Sequence, residues 1–142
     1  MLNVWPVLVL SWAIGLAAAP ADAVAFKTLD RGDQSNIENA REVVVRTAAE
    51  WSALWKEHSP DQRPPAVDFT RSMIVGVFLG SRPTGAHSVE ITKIEREADH
   101  LVVTYREQRP DKSDVVTQVI TMPYQLVTTE RFAGSVRFTR AR

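Results

Sequence analysis

Three histidines, His58, His87 and His100, are the side chains of this sequence best suited to proton transfer or metal binding. Zinc sites usually place two such ligands at a short regular spacing, for example one helical turn apart. No pair of these histidines has that spacing, and no cluster of carboxylates accompanies them. The sequence therefore predicts no metal site and no bound cofactor.

Nucleophilic catalysis is not indicated either. A hydrolytic serine commonly lies in a Gly-x-Ser-x-Gly turn and needs a base and an orienting acid. This sequence has no such motif, and Ser81, although it follows Gly80 and precedes His87, lies in a predicted hairpin loop. Cysteine is absent, which excludes a thiolate nucleophile, a disulfide and an acylated cysteine anchor. We expect a protein that is not an enzyme.

The acidic residues have the pattern of a solvated surface. Glu95 and Glu97 share the exposed parity of a predicted strand, and Asp111 and Asp114 form too simple a pattern to indicate calcium. The sequence has 17 Lys and Arg against 17 Asp and Glu. This balance gives no electrostatic reason to expect nucleic acid or an anionic membrane as a partner.

Residues 1–23 have the features of a cleaved signal peptide. Residues 2–19 are mostly apolar, and Ala21-Asp22-Ala23 is an A-x-A cleavage sequence, although no Lys or Arg precedes the apolar stretch. The alternative is an uncleaved anchor, but the stretch is marginal against the ~20 residues that a span needs, and no basic cluster follows it. We expect a periplasmic or secreted single domain, residues 24–142, with no stable membrane anchor.

The apolar run at residues 73–79 is rich in β-branched and aromatic side chains, which predicts a strand buried on both faces. The loop that follows has turn chemistry, because Pro83 fixes its own φ and both Gly80 and Gly85 can adopt positive φ. A return strand begins at Ser88. Further strands are expected at residues 26–29, 42–46, 101–106, 115–121, 124–127 and 135–138, with a β-bulge near Thr92-Lys93.

One helix is predicted over residues 48–58. Thr47 is suited to cap its N-terminus, with a glutamate three residues later completing a capping box. Trp51 and Trp55 form an apolar stripe with Leu54, and we expect these tryptophans to lie in the core and not on a binding surface. About six to eight strands in an antiparallel sheet, with one short amphipathic helix packed on it, make an α+β fold.

The loop after the central strand is the remaining candidate site. It is either a rigid turn that only joins two strands or a preformed loop that binds a partner at little entropic cost, since proline has already restricted it. Its residues are Ser81, Arg82, Pro83, Thr84, Gly85, Ala86 and His87.

Several motifs occur in an order that resembles a known family. They are Gly32-x-x-Ser35-x-Ile37, Glu50-Trp51-x-x-Leu54-Trp55, Pro65-x-Val67-Asp68-Phe69, Val75-x-Val77-x-Leu79-Gly80, Pro83-Thr84-Gly85, Val89-x-Ile91 and Thr121-x-Pro123-Tyr124. Together they span most of residues 24–142, which resemble the C-terminal domain family of the protease complex subunit PrcB. The family loop usually continues with a second glycine and an aromatic residue, where this chain has Ala86 and His87.

The resemblance implies an exported bacterial protein that acts as a non-catalytic partner in a surface protease complex. We therefore expect a module that binds another exported protein, such as a protease, through residues 81–87 and the neighbouring sheet edge. The alternative is a protease inhibitor that uses Pro83-Thr84-Gly85, which is faintly similar to the Pro-Thr-Thr-Gly loop of chagasin-type inhibitors. The helix and the strand order argue against that second fold. The sequence leaves the oligomeric state open.

Overall fold

The structure is a computed structural model, and it describes residues 22–142. These residues form eight strands and one α-helix. In chain order the elements are β1 (Asp22–Val24), β2 (Phe26–Gly32), β3 (Arg41–Val45), α1 (Ala48–His58), β4 (Ser72–Phe78), β5 (Ser88–Glu97), β6 (His100–Gln108), β7 (Tyr124–Glu130) and β8 (Ser135–Arg140).

The strands form two four-stranded sheets. The central sheet has the order β2-β7-β4-β3, and the outer sheet has the order β1-β5-β6-β8. Neighbouring strands are antiparallel except β6 and β8, which run parallel. The predicted α+β fold class is confirmed, and the structure adds that the strands are divided between two sheets.

Strand β4 is buried on both faces, as its continuous apolar run predicts. Met73, Val75 and Val77 belong to the core between the two sheets. Ile74 and Phe78 have the opposite parity and belong to the core between the central sheet and the helix. The molecule therefore has three layers, in the order helix, central sheet and outer sheet, with β4 in the middle layer.

Helix α1 begins where the sequence predicts, because the Thr47 hydroxyl accepts the backbone N–H of Glu50 at 3.1 Å. Trp51 and Trp55 are buried against the central sheet, which confirms their place in the core. Their indole N–H groups donate to the carbonyls of Pro65 and Gln62, at 3.1 and 2.8 Å. The two tryptophans thus also fix the proline-rich connector that leads to β4.

The β-bulge in β5 is confirmed, since the register with β6 shifts between Ile91 and Lys93. The backbone N–H of Ile91 donates to the side-chain oxygen of Gln125 at 2.5 Å, and the Gln125 amide nitrogen donates to the Thr28 hydroxyl at 2.9 Å. Gln125 lies on β7 and is buried. A single satisfied amide therefore connects the central sheet to the outer sheet at the bulge.

One local prediction is wrong, and in the central loop only one of the two glycines uses its freedom to adopt a positive φ. Residues 115–121 form no strand, and only an isolated bridge pairs Thr121 with Arg82. β-Branched side chains favour a strand only where a neighbouring strand is available for pairing, and residues 115–120 have none. In the central loop Gly80 has a positive φ of 78°, but Gly85 does not, and Ala86 has a φ of 66° instead.

The predicted signal peptide, residues 1–23, lies outside the described residues except for Asp22 and Ala23. These two residues form the start of β1 and pair with Arg96 and Glu95 of β5. Within residues 22–142, no helix combines the length and the apolar character needed to cross a membrane.

The substitution Gly80→Ala should lower the free energy of unfolding by about 2–3 kcal/mol. A side chain at this φ is strained, and its Cβ would lie 2.8 Å from the backbone of Ala40 and Glu38. Gly85→Ala is the matched control, because there the new Cβ meets only Thr117, at 3.4 Å, without a strained φ. Urea denaturation should show a near wild-type Gly85→Ala variant, and an equal loss in both variants would contradict the assignment.

Candidate functional site

The predicted binding loop lies at the end of the molecule where β4 and β6 finish. Residues 81–87 connect the end of β4 to the start of β5, and Glu107 lies near the end of β6, which pairs with β5. Because β8 runs parallel to β6, its last residue, Arg140, reaches the same end. Three separate parts of the chain thus place charged side chains together.

Glu107 is the centre of this charged site. Its side chain is only 2% exposed, and its Oε1 accepts the Nε–H of Arg82 at 2.6 Å. Its Oε2 accepts N–H groups from Arg109, at 3.1 Å, and from Arg140. We call Arg82, Arg109 and Arg140, gathered around this carboxylate, the arginine cluster.

The arginine cluster holds Glu107 in its charged form. Burial by itself would raise the pKa of the Glu107 carboxyl, but hydrogen bonds from Arg82 and Arg109 outweigh it and lower the pKa to about 2. A carboxyl with this pKa does not transfer protons near neutral pH. Glu107 therefore acts as a fixed anion that positions the guanidinium groups.

Arg82 fastens the loop at its first turn. Its Nη1 donates to the carbonyls of Leu79 and Ser81, at 3.0 and 3.1 Å. Its backbone N–H donates to the Thr121 carbonyl at 2.7 Å, and the Thr121 N–H donates back to the Arg82 carbonyl at 3.0 Å. The residue is thus held through both its side chain and its backbone.

The tip of the loop is packed against residues 109–121, which we call the covering segment. The Gly85 N–H donates to the Thr117 carbonyl at 2.8 Å, and the Thr121 hydroxyl donates to the Thr84 carbonyl at 2.8 Å. Ser81, Pro83 and Ala86 are exposed, whereas Arg82, Thr84, Gly85 and His87 are half-buried. The loop is therefore a fixed surface feature and not a projecting flexible tip.

His87 faces inward from the end of the loop. Its side chain is 11% exposed, and its Nδ1 lies 3.8 Å from Oε1 of Glu107. This nitrogen is buried and has no hydrogen-bond partner among residues 22–142. The preceding residue, Ala86, holds a left-handed conformation that costs a non-glycine residue roughly 1–2 kcal/mol. The loop therefore holds a strained residue directly before a histidine whose unpaired Nδ1 faces the arginine cluster.

A cavity of about 170 Å³ opens beside the arginine cluster, between the two sheets. Tyr105 lies on its wall, and burial and then the neighbouring Glu42 carboxylate raise the pKa of the Tyr105 hydroxyl, which stays protonated at neutral pH. A more open recess on the other side of Arg140 is lined by Glu107, Arg109, Arg140, Ala141 and Arg142. The lining of the first cavity is Ala40, Arg41, Glu42, Val77, Phe78, Leu79, Arg82, Tyr105 and Arg140.

Exposed apolar side chains are concentrated beside the loop. Within residues 22–142, the large hydrophobic residues that remain exposed are Val115, Val119 and Ile120. All three lie on the covering segment, next to the bonds that join it to the loop. We call these three residues the apolar patch.

A hydrogen-bonded group of three polar residues, which no local sequence pattern signals, lies beneath the helix. His58 is 1% exposed, with Nδ1 2.8 Å from the Ser35 hydroxyl oxygen and Nε2 3.4 Å from Asp30. This is the order of a hydrolytic triad, but Ser35 is also buried and its oxygen accepts the Ile37 N–H at 3.1 Å. Ser35 in this position is closed to a substrate. The hydrogen bonds from Ser35 through His58 to Asp30 instead fix the end of α1 against β2.

Only the long-range fold brings Ser35, His58 and Asp30 together, so no local spacing signals their contact. The sequence did indicate that His58 would end the helix. It did not indicate that the imidazole packs against the rings of Tyr124, Phe78 and Trp55.

The other predicted polar residues stay apart. His100 is the first residue of β6 and lies beside Glu97 and Asp99. In the part of the chain that the structure describes, no group of three or more His, Asp or Glu side chains converges as a metal site would require.

His58 should make stability depend on pH. Burial lowers the pKa of His58 below its ordinary value of 6.5, and the hydrogen bond with Asp30 opposes this only in part. The unfolded chain therefore binds the proton more tightly, so the free energy of unfolding is greatest above pH 6.5 and falls as the pH decreases below it. Denaturation at pH 7.5 and 5.5 should show a smaller difference for His58→Gln than for wild type. His100→Gln is the control, and a wild-type difference in His58→Gln would contradict the prediction.

The substitution Glu107→Gln should lower the free energy of unfolding by about 3 kcal/mol, because it leaves three guanidinium groups around a neutral side chain. Amide exchange at Gly85 and Thr121 should also speed up as the loop loosens. Glu90→Gln is the matched control, since Glu90 pairs with Arg106 on an exposed surface. Comparable losses of stability in the two variants would show that Glu107 is not the anchor.

Glu107 should also make the free energy of unfolding depend on pH in the acid range. The folded pKa is about 2, below the unfolded value of 4.5, so the stability that Glu107 contributes is complete above pH 4.5 and is lost as the pH falls toward 2. Acid titration of unfolding should show this loss in wild type and a reduced loss in Glu107→Gln.

Comparison with known proteins gives one match. Residues 73–130 match the family model described as PrcB C-terminal. No curated protein and no solved structure matches the chain. The matched region runs from β4 to the end of β7 and includes the predicted binding loop, Glu107 and the covering segment. The resemblance predicted from the order of the motifs is confirmed, and over this region the chain is similar to the PrcB C-terminal family, a domain associated with a protease complex.

Proposed function

We propose that this chain is an exported, non-enzymatic module that binds another protein, as an accessory subunit of a protease complex. The family match supports an association with a protease complex. The apolar sequence of residues 2–19 and the Ala21-Asp22-Ala23 cleavage sequence support export to the periplasm or beyond. The partner in this proposal is another exported protein, with a protease as the first candidate.

The apolar patch is the observation that carries the proposal. Val115, Val119 and Ile120 are more than half exposed, at 103%, 55% and 65% of a free side chain. Three large apolar side chains left exposed within residues 115–120 favour a surface that contacts another protein over the single scattered exposure that is common on protein surfaces. Their position on a segment bonded to the predicted loop puts loop and patch on one surface.

The rigidity of this surface favours binding. The loop is held by Arg82 and by the backbone bonds to Thr117 and Thr121, so little conformational freedom remains to be lost when a partner docks. The charged site beneath it adds polar groups that are already oriented. A surface of this kind recognises shape and charge without rearranging.

The test is affinity purification from the native source with the tagged chain, beside a variant in which Val115, Val119 and Ile120 are all serine. The matched control, Lys112→Ser with Gln118→Ser, changes exposed polar residues of the same segment. We expect wild type and control to retain a protease or a protease subunit and the patch variant to retain at least about tenfold less. Melting curves check that all three proteins fold.

Two results would contradict the proposal. One is equal retention by the patch variant and the control, and the other is no specific retention by wild type. The protease retained by the tagged chain also distinguishes the two candidate functions, an accessory subunit and an inhibitor that uses Pro83-Thr84-Gly85. An inhibitor reduces peptide hydrolysis by the retained protease in proportion to the amount of chain added, whereas an accessory subunit leaves turnover intact.

A further inference from the structure

We infer that the arginine cluster and the adjoining cavity form a pocket for a carboxylate side chain, an Asp or Glu of the partner protein. The inference rests on the proposed function, because the pocket lies at the same end of the molecule as the loop and the apolar patch. It adds to that function the chemistry of the group that enters the pocket.

The charges around Glu107 are unequal. Three guanidinium groups converge on one buried carboxylate, so the cluster carries more positive than negative charge. The Arg82 side chain is mostly covered, whereas those of Arg109 and Arg140 reach solvent. Each guanidinium presents a planar fork of N–H donors. Within residues 22–142, the hydrogen bonds use one nitrogen of Arg109 and one of Arg140, both toward Glu107. The cluster therefore retains donors and charge for a second anion.

The neighbouring charged groups do not remove this excess. Arg41, on the cavity wall, is paired with Glu57 at 3.0 Å. Glu42, the acidic residue of the wall, lies close enough to the Tyr105 hydroxyl to help raise its pKa. Neither of these two glutamates forms a hydrogen bond or an ion pair with Arg82 or Arg140. These two arginines are the members of the cluster that line the cavity.

The unpartnered nitrogen of His87 is a second and independent sign of a polar ligand. Buried nitrogen atoms in folded proteins nearly always have a hydrogen-bond partner. The Nδ1 of His87 has none among residues 22–142 and lies on the same side of Glu107 as Arg82. His87 does not line the cavity itself, so its free nitrogen marks an unmet polar contact at the edge of the arginine cluster, beside Arg82.

The dimensions and lining of the cavity fit a side chain better than a free metabolite. Its volume of about 170 Å³ is below the range of roughly 300–1,000 Å³ that is typical of small-molecule sites. Val77 and Leu79, which face the outer sheet, contribute an apolar floor next to the arginines. That combination suits a short aliphatic stem that ends in a planar carboxylate, which arginine binds with two parallel hydrogen bonds.

The apolar patch indicates that the carboxylate belongs to a protein. Ile120 directly precedes Thr121, whose backbone pairs with Arg82 of the cluster. A partner segment that covers the patch would thus pass close to the pocket. Its expected composition is an acidic residue flanked by apolar ones.

The first experiment is an NMR titration that follows the Nε–H signals of Arg82 and Arg140 in the full domain. The probes are N-acetyl-glutamate N-methylamide, its glutamine analogue and inorganic phosphate. We expect saturable shifts with the glutamate probe and none with the glutamine probe. Arg140→Gln should weaken binding of the glutamate probe at least about tenfold. Arg137→Gln, which removes an exposed arginine from the same strand, is the matched control and should bind as wild type does.

Three results would overturn the carboxylate pocket: equal shifts with the glutamate and glutamine probes, tighter binding of phosphate than of the glutamate probe, or unchanged binding in Arg140→Gln. The comparison of probes on wild type decides the matter even where a variant melts early. Retention of the partner by Arg140→Gln separates the two proposals. A partner that is lost by the patch variant but fully retained by Arg140→Gln overturns the pocket alone, whereas a partner retained by both variants overturns the proposed function.

Discussion

The burial of strand β4 on both faces is the constraint on which the rest of this structure depends. A strand with no polar face must be covered twice, and here the helix covers one side while the outer sheet covers the other. Few connections between these layers are possible, because the chain must leave the end of β4 and turn back to form β5 in the outer sheet. The loop at residues 80–87 makes that return, so its position is determined by the core and not by its own sequence.

Polar groups inside these layers connect them at three points. Gln125 joins the two sheets at the β5 bulge, His58 joins the helix to the central sheet, and Glu107 joins the loop to β6 and β8. Of these three side chains, only Glu107 carries a full charge near neutral pH. It lies at the end of the molecule that holds the loop, where Arg109 and Arg140 reach solvent. The other two points serve packing, because Gln125 and His58 are themselves buried and their polar atoms are bonded within the protein.

The sequence predicted those parts of the fold that follow from local pattern. The helix Ala48–His58, the bulge after Ile91 and the buried β4 each come from periodicity, capping or an apolar run. The division into two sheets and the parallel β8 depend on which strands pair, and pairing is a long-range property. The failure at residues 115–121 has the same origin, since those side chains favour a strand that has no neighbour to join.

The candidate site was located by sequence but not explained by it. Residues 81–87 were singled out for Pro83 and the glycines, yet the structure gives the central role to Arg82 and His87, which the turn argument did not use. Glu107 carries no signal in the local sequence, because only the pairing of β6 with β5 and β8 brings it beneath the loop. A loop fixed by charge at its base and covered at its tip loses little freedom on binding. Under the proposed function, recognition of a partner therefore depends on what the surrounding surface presents, which is the combination of the apolar patch and the arginine cluster.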